Sequence, residues 1–331
     1  MTASTAPLPV IAPGAAVASG ARLRTTGLLL GIASALAFSS SGPFVKPLLE
    51  AGWSLGAALL VRMGVAGLVL SPALLLAMRR QPGFLRRHWR LIVGFGLMPV
   101  LGCQLFFFSA MQRMPVAVAL LIQYLAPVML VAAVWLRTRR RPSGLVLWGS
   151  VVAIAGLVLV VDISGASFDL LGTLFALAAA VCVCAYFVIS ERTGDDLPPL
   201  ALAASGLLTG ALVMGLLCLT GLMPFRAPAV DVVLAGVEVP WWMPILWVAG
   251  VATTLGYAFG VMAVPRIGSR VASFVGLSEV LFALAFAWIF LAEVPAPIQF
   301  VGGALLLAGV VLVRADASSS GNPRGEAAVI S

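Results

Sequence analysis

Long apolar stretches separated by short polar connections dominate this chain. A helix needs about 20 apolar residues to cross a bilayer, and ten stretches come close to that length. They lie at 27–48, 54–78, 91–111, 115–136, 144–162, 170–190, 200–222, 244–263, 271–291 and 296–313. The pattern predicts an all-α membrane protein with ten transmembrane helices and short loops.

The second half of the chain repeats the first. Residues 104–160 align without a gap on residues 257–313, at a shift of 153 positions. The same residue types recur at equivalent places, as in the pairs Trp135 and Trp288, Gly149 and Gly302, and Gly156 and Gly309. Each half holds five predicted spans, and five is odd, so the second half enters the membrane upside down. We therefore predict two inverted five-helix repeats, an arrangement typical of solute transporters.

The predicted repeats divide the chain into two membrane units and two tails. The first repeat covers 25–162 and the second covers 163–314. The flanking segments 1–24 and 315–331 are rich in small and polar residues, and we predict that both are disordered cytoplasmic tails.

Composition and charge placement agree with a membrane protein. Hydrophobic residues make up 62% of the chain and charged residues only 10%, against about 25% charged in soluble domains. The net charge is +8, but sixteen of the twenty Lys and Arg residues fall in segments assigned to one side. This positive-inside pattern predicts that both termini are cytoplasmic. A basic face with interleaved aromatic residues for nucleic acid is not seen.

The sequence carries no pattern typical of an enzyme. It lacks the HExxH, Walker A and intramembrane protease motifs, and we predict neither catalysis nor a cofactor. The four cysteines lie within apolar spans and are interpreted as small core residues. The expected partners are a small-molecule substrate and the lipid bilayer. The chain could work as a monomer or as a homodimer.

Two ionisable residues lie deep within predicted spans, Arg62 and Glu279. A charge near the bilayer centre costs about 3 kcal/mol or more, so such a residue is expected to face a cavity or the bundle interior. Glu279, which follows Ser278, could bind a substrate amine or carry a coupling proton. It could also be a structural carboxyl that is protonated or paired with an arginine.

The two basic residues within spans allow several interpretations. Arg62 could hold a substrate carboxylate, pair with Glu279 or extend its side chain outward to water. Lys46 lies toward the outer end of the first span and is a candidate for binding the substrate or a proton, although a local pair with Glu50 is the simpler account of it.

Further polar side chains are predicted to line a central cavity: Gln104, Gln123, Tyr124 and Tyr257, with Ser278 beside Glu279 and with Ser39, Ser40, Ser41 and Tyr186 as additional candidates. Gln104 and Tyr257 occupy equivalent places in the two repeats, which favours a shared central site. The alternative for each is an interhelical hydrogen bond without a role in binding. Pro43, Pro99 and Pro127 could kink their spans and free backbone carbonyls toward the cavity.

These motifs resemble the drug/metabolite transporter superfamily, specifically the EamA-type ten-helix transporters. The resemblance rests on the doubled five-helix unit, on the stretch GLSEVLFALAFAWIFLAEVPAPIQFVGGALLLAGVVLV at 276–313 and on Arg62 in the second span. The chain departs from the family pattern at Val280, where a proline commonly follows the glutamate, and at Arg140, where an acidic residue is usual. Pro127 keeps the proline in the first repeat.

The resemblance implies a transporter of the cytoplasmic membrane that exports small metabolites such as amino acids by alternating access. Two alternatives stay open. Efflux of hydrophobic cationic drugs predicts an aromatic cavity around Glu279. A membrane scaffold or sensor that transports nothing predicts no central cavity.

Overall fold

The structure is helical throughout most of the part of the chain that it describes. The computed structural model describes residues 13–126, 128–129, 135–136, 144–161, 169–190, 196–276, 278–292 and 296–319. The α-helices are α1 (Pro13–Ser39), α2 (Ser41–Glu50), α3 (Leu55–Arg80), α4 (Phe84–Phe95), α5 (Cys103–Met111), α6 (Val116–Gln123), α7 (Gly144–Val161), α8 (Leu170–Ser190), α9 (Pro199–Leu219), α10 (Trp242–Trp247), α11 (Gly256–Gly276), α12 (Ser278–Leu291) and α13 (Pro297–Ser319). Two π-helical segments, π1 (Gly96–Gly102) and π2 (Val248–Leu255), continue α4 and α10.

Length and composition allow membrane crossing by five helical segments of the described residues: Arg24–Glu50, Leu55–Arg80, Phe84–Met111, Pro199–Leu219 and Trp242–Ile267. Four shorter apolar helices accompany them at Leu147–Leu159, Leu170–Tyr186, Ser278–Leu291 and Phe300–Gly309. Each of these segments overlaps one predicted span. The remaining predicted span, 115–136, is described as α6 and as fragments beyond it, so the count of ten helices stays a prediction.

Helix boundaries differ from the predicted spans at three places. The first span is broken at Ser40, because the hydroxyls of Ser39 and Ser40 donate to the carbonyls of Leu36 and Ala37 at 2.7 Å and so compete with the helical hydrogen bonds. Pro43 tolerates this arrangement because it lies in the first turn of α2, where no helical N–H is needed.

The other two differences concern the predicted loop between 263 and 271 and the predicted tails. The helix containing Arg266 continues to Gly276, although a loop is predicted between 263 and 271. The helices α1 and α13 also extend into the predicted tails 1–24 and 315–331, from Pro13 and to Ser319. Pro127 and Arg140 lie outside the described residues.

The segment between α9 and α10 contains a β-hairpin that the sequence does not predict. Strands β1 (Val232–Leu234) and β2 (Val237–Val239) pair antiparallel. The turn between them has positive φ angles at Ala235 (53°) and Gly236 (79°), the geometry of the tight turns that suit β-hairpins. The backbone N–H of Ala235 donates to the carbonyl of Phe290 at 3.2 Å, which fixes the hairpin on the end of α12.

The two π-helical segments occupy equivalent places in the two halves. A shift of 153 positions carries π1 onto residues 249–255, which lie within π2. A π segment inserts one extra residue per turn and is frequent at functional sites. The repetition of the backbone irregularity therefore extends the sequence repeat to local structure.

Helices of the two halves pack against each other in pairs, most closely at α7 and α13. A Cβ atom on Gly156 would meet the backbone of Leu306 and the carbonyl of Gly302. A Cβ atom on Gly309 would meet the backbone of Ala153 and the carbonyl of Gly149. The two sets exchange under the 153-residue shift, and the order of the contacts shows that α7 and α13 run antiparallel.

Loop contacts join α5 to α8 at one end of the bundle. The carboxylate of Asp169 accepts the backbone N–H of Gly172 at 2.5 Å and a hydrogen bond from Arg113 at 3.3 Å. The Gly172 bond, and then the Arg113 guanidinium, hold the pKa of Asp169 below its usual range. Asp169 thereby stabilises the start of α8.

Alanine at Gly156 is expected to destabilise the protein, because the added methyl group meets backbone atoms that cannot rotate away. We expect a loss of about 1–3 kcal/mol, read as a lower melting temperature in detergent. Gly309→Ala should lose a similar amount, since its surroundings are equivalent. Gly144→Ala is the matched control in the same helix, where no described atom lies within 4 Å of the added carbon. Equal stability of all three variants would contradict close packing at this interface.

Candidate functional site

A cavity of about 160 Å³ lies among helices from both halves of the chain. Helices α1, α3, α5 and α6 of the first half contribute to its wall, as do α8, α11 and α12 of the second. Its polar lining consists of Ser34, Ser41, Arg62, Gln104, Gln123, Tyr124, Tyr186, Tyr257 and Glu279, and its aromatic lining adds Phe38, Phe107 and Phe108. Six of the eight residues predicted for the site therefore line one cavity.

The other two predicted residues do not line it. Lys46 is half-buried in α2 and is not among the lining residues. The hydroxyl of Ser278 donates to the carbonyl of Val275 at 2.6 Å, so its hydrogen is used in a local backbone contact. Adjacency to Glu279 in sequence did not place Ser278 in the cavity, because successive residues of a helix point in different directions.

Neutral groups surround the guanidinium of Arg62, which is only 2% exposed. Its Nε donates to Oγ1 of Thr253 at 2.9 Å and its Nη1 donates to Oγ of Ser41 at 2.8 Å. The guanidinium carbon lies 4.8 Å from the centre of the Phe108 ring, which adds a cation–π contact. The side chain does not extend to water, and among the described residues it forms no ion pair with Glu279.

The π-helical backbone of π2 prepares Thr253 to accept from Arg62. The hydroxyl hydrogen of Thr253 is directed to the carbonyl of Val248, five residues earlier, at 2.7 Å. The oxygen is then left as an acceptor facing the guanidinium. Thr253 is not among the residues predicted for the site, although the adjacent threonines at 253 and 254 interrupt an otherwise apolar span.

Glu279 is the second residue of α12, and residue 277, which separates α12 from α11, lies outside the described residues. The Oε2 atom of Glu279 lies 2.8 Å from the hydroxyl of Tyr124. The same hydroxyl lies 2.6 Å from the carbonyl of Gly276.

A single hydroxyl hydrogen cannot be donated fully to both of these acceptors. When Glu279 is protonated, its O–H can donate to the Tyr124 oxygen while Tyr124 donates to Gly276. When Glu279 is ionised, the carboxylate competes with the Gly276 carbonyl for the one hydrogen. Tyr124 can therefore respond to the proton on Glu279.

Gln104 and Tyr257, which are repeat mates, touch each other in the cavity wall. The amide Nε2 of Gln104 donates to the hydroxyl of Tyr257 at 3.2 Å, and that hydroxyl donates to the carbonyl of Pro99 in π1 at 3.1 Å. Because the two residues occupy equivalent positions in the two halves of the chain, their contact lies where the two halves meet. The carbonyl of Pro99 is thus part of the cavity wall, where the Tyr257 hydroxyl occupies it.

Comparison with known proteins gives the family. The model of the EamA-like transporter family matches residues 25–162 and again residues 170–315. The chain therefore belongs to the EamA-like transporter family, within the drug/metabolite transporter superfamily, and is a multi-pass membrane transporter rather than an enzyme.

Curated relatives are amino acid exporters. The threonine/homoserine exporter RhtA of Escherichia coli strain K12 is 29% identical over 216 residues, which cover 63% of this chain and 66% of the exporter. The same figures hold for the exporters of that name from strains O6:H1 and O157:H7. The alignment thus spans just under two thirds of the relatives. A solved crystal structure matches with a TM-score of 0.55 at 21% identity, covering 89% of this chain and 97% of the other, which shows a common fold.

Replacing Arg62 by methionine is expected to leave the protein at least as stable as the wild type. The buried guanidinium has only neutral described partners, and a well-packed apolar side chain often replaces a buried charge without loss. The measurement is the melting temperature in detergent, with Met63→Ala, a truncation of the neighbouring buried residue, as the control that should destabilise by about 2–5 kcal/mol. A large loss in Arg62→Met would instead indicate that Arg62 holds the fold together.

Proposed function

We propose that this protein exports small amino acids across the cytoplasmic membrane by alternating access. The main observation in support is that one small cavity is lined by both a guanidinium group, that of Arg62, and a carboxyl group, that of Glu279. An amino acid carries both complementary charges, so it can satisfy both groups at once. The carboxylate of the substrate would bind Arg62, and its ammonium group would bind Glu279.

The guanidinium keeps capacity for a carboxylate ligand. An arginine side chain has five N–H donors, and its described hydrogen bonds to Thr253 and Ser41 use one each at Nε and Nη1. Arginine binds carboxylates through two parallel hydrogen bonds. Since the charge is already desolvated in the apo cavity, a substrate carboxylate would relieve part of the cost of keeping it there.

Cavity size favours a metabolite over a drug. Sites for drug-sized ligands usually measure about 300–1,000 Å³, whereas this cavity holds about 160 Å³. The buried positive charge of Arg62 also opposes a cationic ligand. The observation that favours the second candidate, efflux of hydrophobic cations, is the set of aromatic rings that line the same cavity as Glu279, including Phe107, Phe108 and Tyr124. The cavity itself opposes the scaffold interpretation.

The relatives support the same substrate class. The curated relatives are threonine and homoserine exporters, and both of those substrates are small amino acids with a free ammonium and a free carboxylate group. The proposed direction is export because of this relationship. The positive-inside distribution of arginines supports cytoplasmic termini.

Several contacts support two inverted repeats that exchange conformations. The antiparallel pair α7 and α13 has equivalent glycine contacts in both directions, π1 and π2 recur at the same place, and Gln104 contacts its own repeat mate. Inverted repeats supply two pseudo-equivalent packings of the same halves. The cavity at their interface would then face one side of the membrane in each packing.

Helix α2 borders the cavity. Its first residue, Ser41, lines the cavity, and Phe44 stacks with Trp247 and contacts Phe290, each with ring centres 5.0 Å apart. Beyond α2, the indole of Trp53 donates to the carbonyl of Pro228 at 3.0 Å. We propose that Phe44, Trp247 and Phe290 form an aromatic seal that faces the outside. This seal must open for the substrate to be released.

Substitution of either charged residue is expected to reduce the exchange of amino acids strongly. In counterflow with proteoliposomes, Glu279→Gln and Arg62→Met should each reduce saturable uptake by about 10- to 100-fold, because a hydrogen bond to a charged group is worth about 1.5–3 kcal/mol. Glu50→Gln is the control for a glutamate outside the cavity. The panel contains amino acids and hydrophobic cations, and saturable uptake of the cations alone would favour drug efflux. Unchanged rate and unchanged pH dependence in Glu279→Gln would rule out its proposed role.

Locking the aromatic seal is expected to stop transport. Cysteines at Phe44 and Phe290, in a chain whose four native cysteines are replaced by serine or alanine, should allow a short cross-linker to join α2 to α12. Counterflow should fall on cross-linking and recover when a cleavable linker is cut. Each single cysteine, treated alike, is the control. Full transport by the cross-linked protein would show that this contact does not open during the cycle.

A further inference from the structure

We propose that the corner between α3 and α4 binds the headgroup of an anionic phospholipid. Within residues 79–90 this corner presents a set of exposed arginines: Arg79, Arg80, Arg86, Arg87 and Arg90. The sequence contains no aspartate or glutamate between Glu50 and Asp162, so the positive charge of the corner is not neutralised by its own segment. The site does not depend on which solute the protein exports.

The buried side chains of α4 direct Arg86 and Arg90 away from the bundle. Phe84 and Ile92 are buried, and each lies two residues from one of the arginines, which is about 200° around the helix. Trp89 is 54% exposed, and the guanidinium carbon of Arg90 lies 5.6 Å from the centre of its ring. Tryptophan rings of membrane proteins concentrate at headgroup depth, so we expect both guanidinium groups to lie at the depth of the lipid phosphates.

The end of α3 places two more arginines beside them. Leu75 and Leu76 are large exposed apolar residues, and Arg79 and Arg80 follow them by four residues, on the same faces of the helix. The lipid-facing surface of α3 therefore ends in arginine. Only residues 81–83 separate α3 from α4, so all of these arginines lie at one end of the bundle.

Carboxylates of the described residues neutralise only one arginine of this corner. Arg87 forms an ion pair with Asp196 at 3.3 Å, and both side chains are largely exposed, so the pair contributes little. No carboxylate in the described part of the chain lies within ion-pair distance of the other four arginines. An anion among them would relieve their mutual repulsion, and a phosphate group can accept two parallel hydrogen bonds from one guanidinium.

Apolar side chains next to the arginines favour a lipid over a soluble phosphate. Leu85 is exposed, as Trp89 is, and apolar side chains at this depth contact acyl chains. A phosphatidyl group can bind the guanidinium groups and also cover this apolar surface, whereas free phosphate can only do the first. Clusters of about four to eight arginines and lysines beside a transmembrane helix bind anionic lipids. The positively charged choline of a zwitterionic lipid would weaken the same contact.

The test is a titration of the full chain in detergent with dioleoyl-phosphatidylglycerol and with dioleoyl-phosphatidylcholine, in which native mass spectrometry counts the lipids that stay bound. We expect phosphatidylglycerol to bind more tightly, by about fivefold for each arginine near its headgroup. Arg86→Gln and Arg90→Gln should each lower its affinity about fivefold, and the double variant roughly 25-fold. Added salt should reduce the preference, because exposed charges are screened.

Arg226→Gln is the matched control, because it removes one exposed positive charge at the other end of the bundle. The backbone carbonyl of Arg226 accepts the N–H of Ser54, just before α3 begins at Leu55, whereas the proposed site lies where α3 ends. This variant should bind phosphatidylglycerol as the wild type does.

Three results would overturn the proposal. Equal affinity of the wild type for both lipids would show that the corner does not select an anionic headgroup, and this comparison needs no variant. An equal loss of affinity in Arg226→Gln and Arg90→Gln would show a response to net charge alone. Displacement of phosphatidylglycerol by glycerol phosphate at similar concentration would show that the corner binds a soluble phosphate rather than a lipid.

Discussion

A guanidinium group buried in an apolar helix bundle must be held by its neighbours, and in this protein those neighbours are neutral. Arg62 is held by Ser41, Thr253 and the face of Phe108. Both hydrogen-bond partners depend on a departure from regular helix: Ser41 begins α2 just after the break at Ser40, and Thr253 lies in the π-helical segment π2. Both backbone irregularities thus position a hydrogen-bond acceptor for the guanidinium of Arg62. Movement of α2 would have to break a bond to Arg62, which links the proposed seal to the proposed carboxylate site.

The two halves are alike where they pack and different where they are charged. The glycines at the antiparallel helices α7 and α13 are identical under the 153-residue shift, as are the positions of the π segments. Glu279, however, corresponds to Ala126, a buried residue of the first half. A symmetric backbone supplies two similar packings, whereas a single carboxyl group supplies one site. An exporter of the proposed kind requires both features, because the same ligand must be held in each packing.

Sequence patterns were sufficient for the class of fold and for most of the cavity. Hydropathy located the helical segments, and the placement of Arg62, Glu279 and the polar residues within apolar spans was enough to predict that six of them share one region. The failures have local causes. Hydrophobicity does not locate helix ends, so the continuation of the helix through Arg266 to Gly276 could not be predicted from it. Lys46 and Ser278 lie close in sequence to the cavity residues Ser41 and Glu279, but they do not line the cavity themselves.

Other features depend on contacts between distant segments. Thr253 becomes a partner of Arg62 only because π2 lies against α3, and the β-hairpin is fixed by a bond from Ala235 to the carbonyl of Phe290. No local pattern encodes such a pairing.

The hydroxyl of Tyr124 connects the charge of Glu279 to the packing of α6 against α11 and α12. Its single hydrogen can strengthen the bond to the carbonyl of Gly276, at the end of α11, or the bond to Glu279, at the start of α12. Ionisation of Glu279 draws that hydrogen toward α12 and weakens the bond to α11. Under the proposed function, a substrate ammonium group favours the ionised carboxylate and a coupling proton removes its charge. Exchange of ligand and proton at Glu279 would therefore alter a contact between helices, which is the kind of change that a conformational cycle needs.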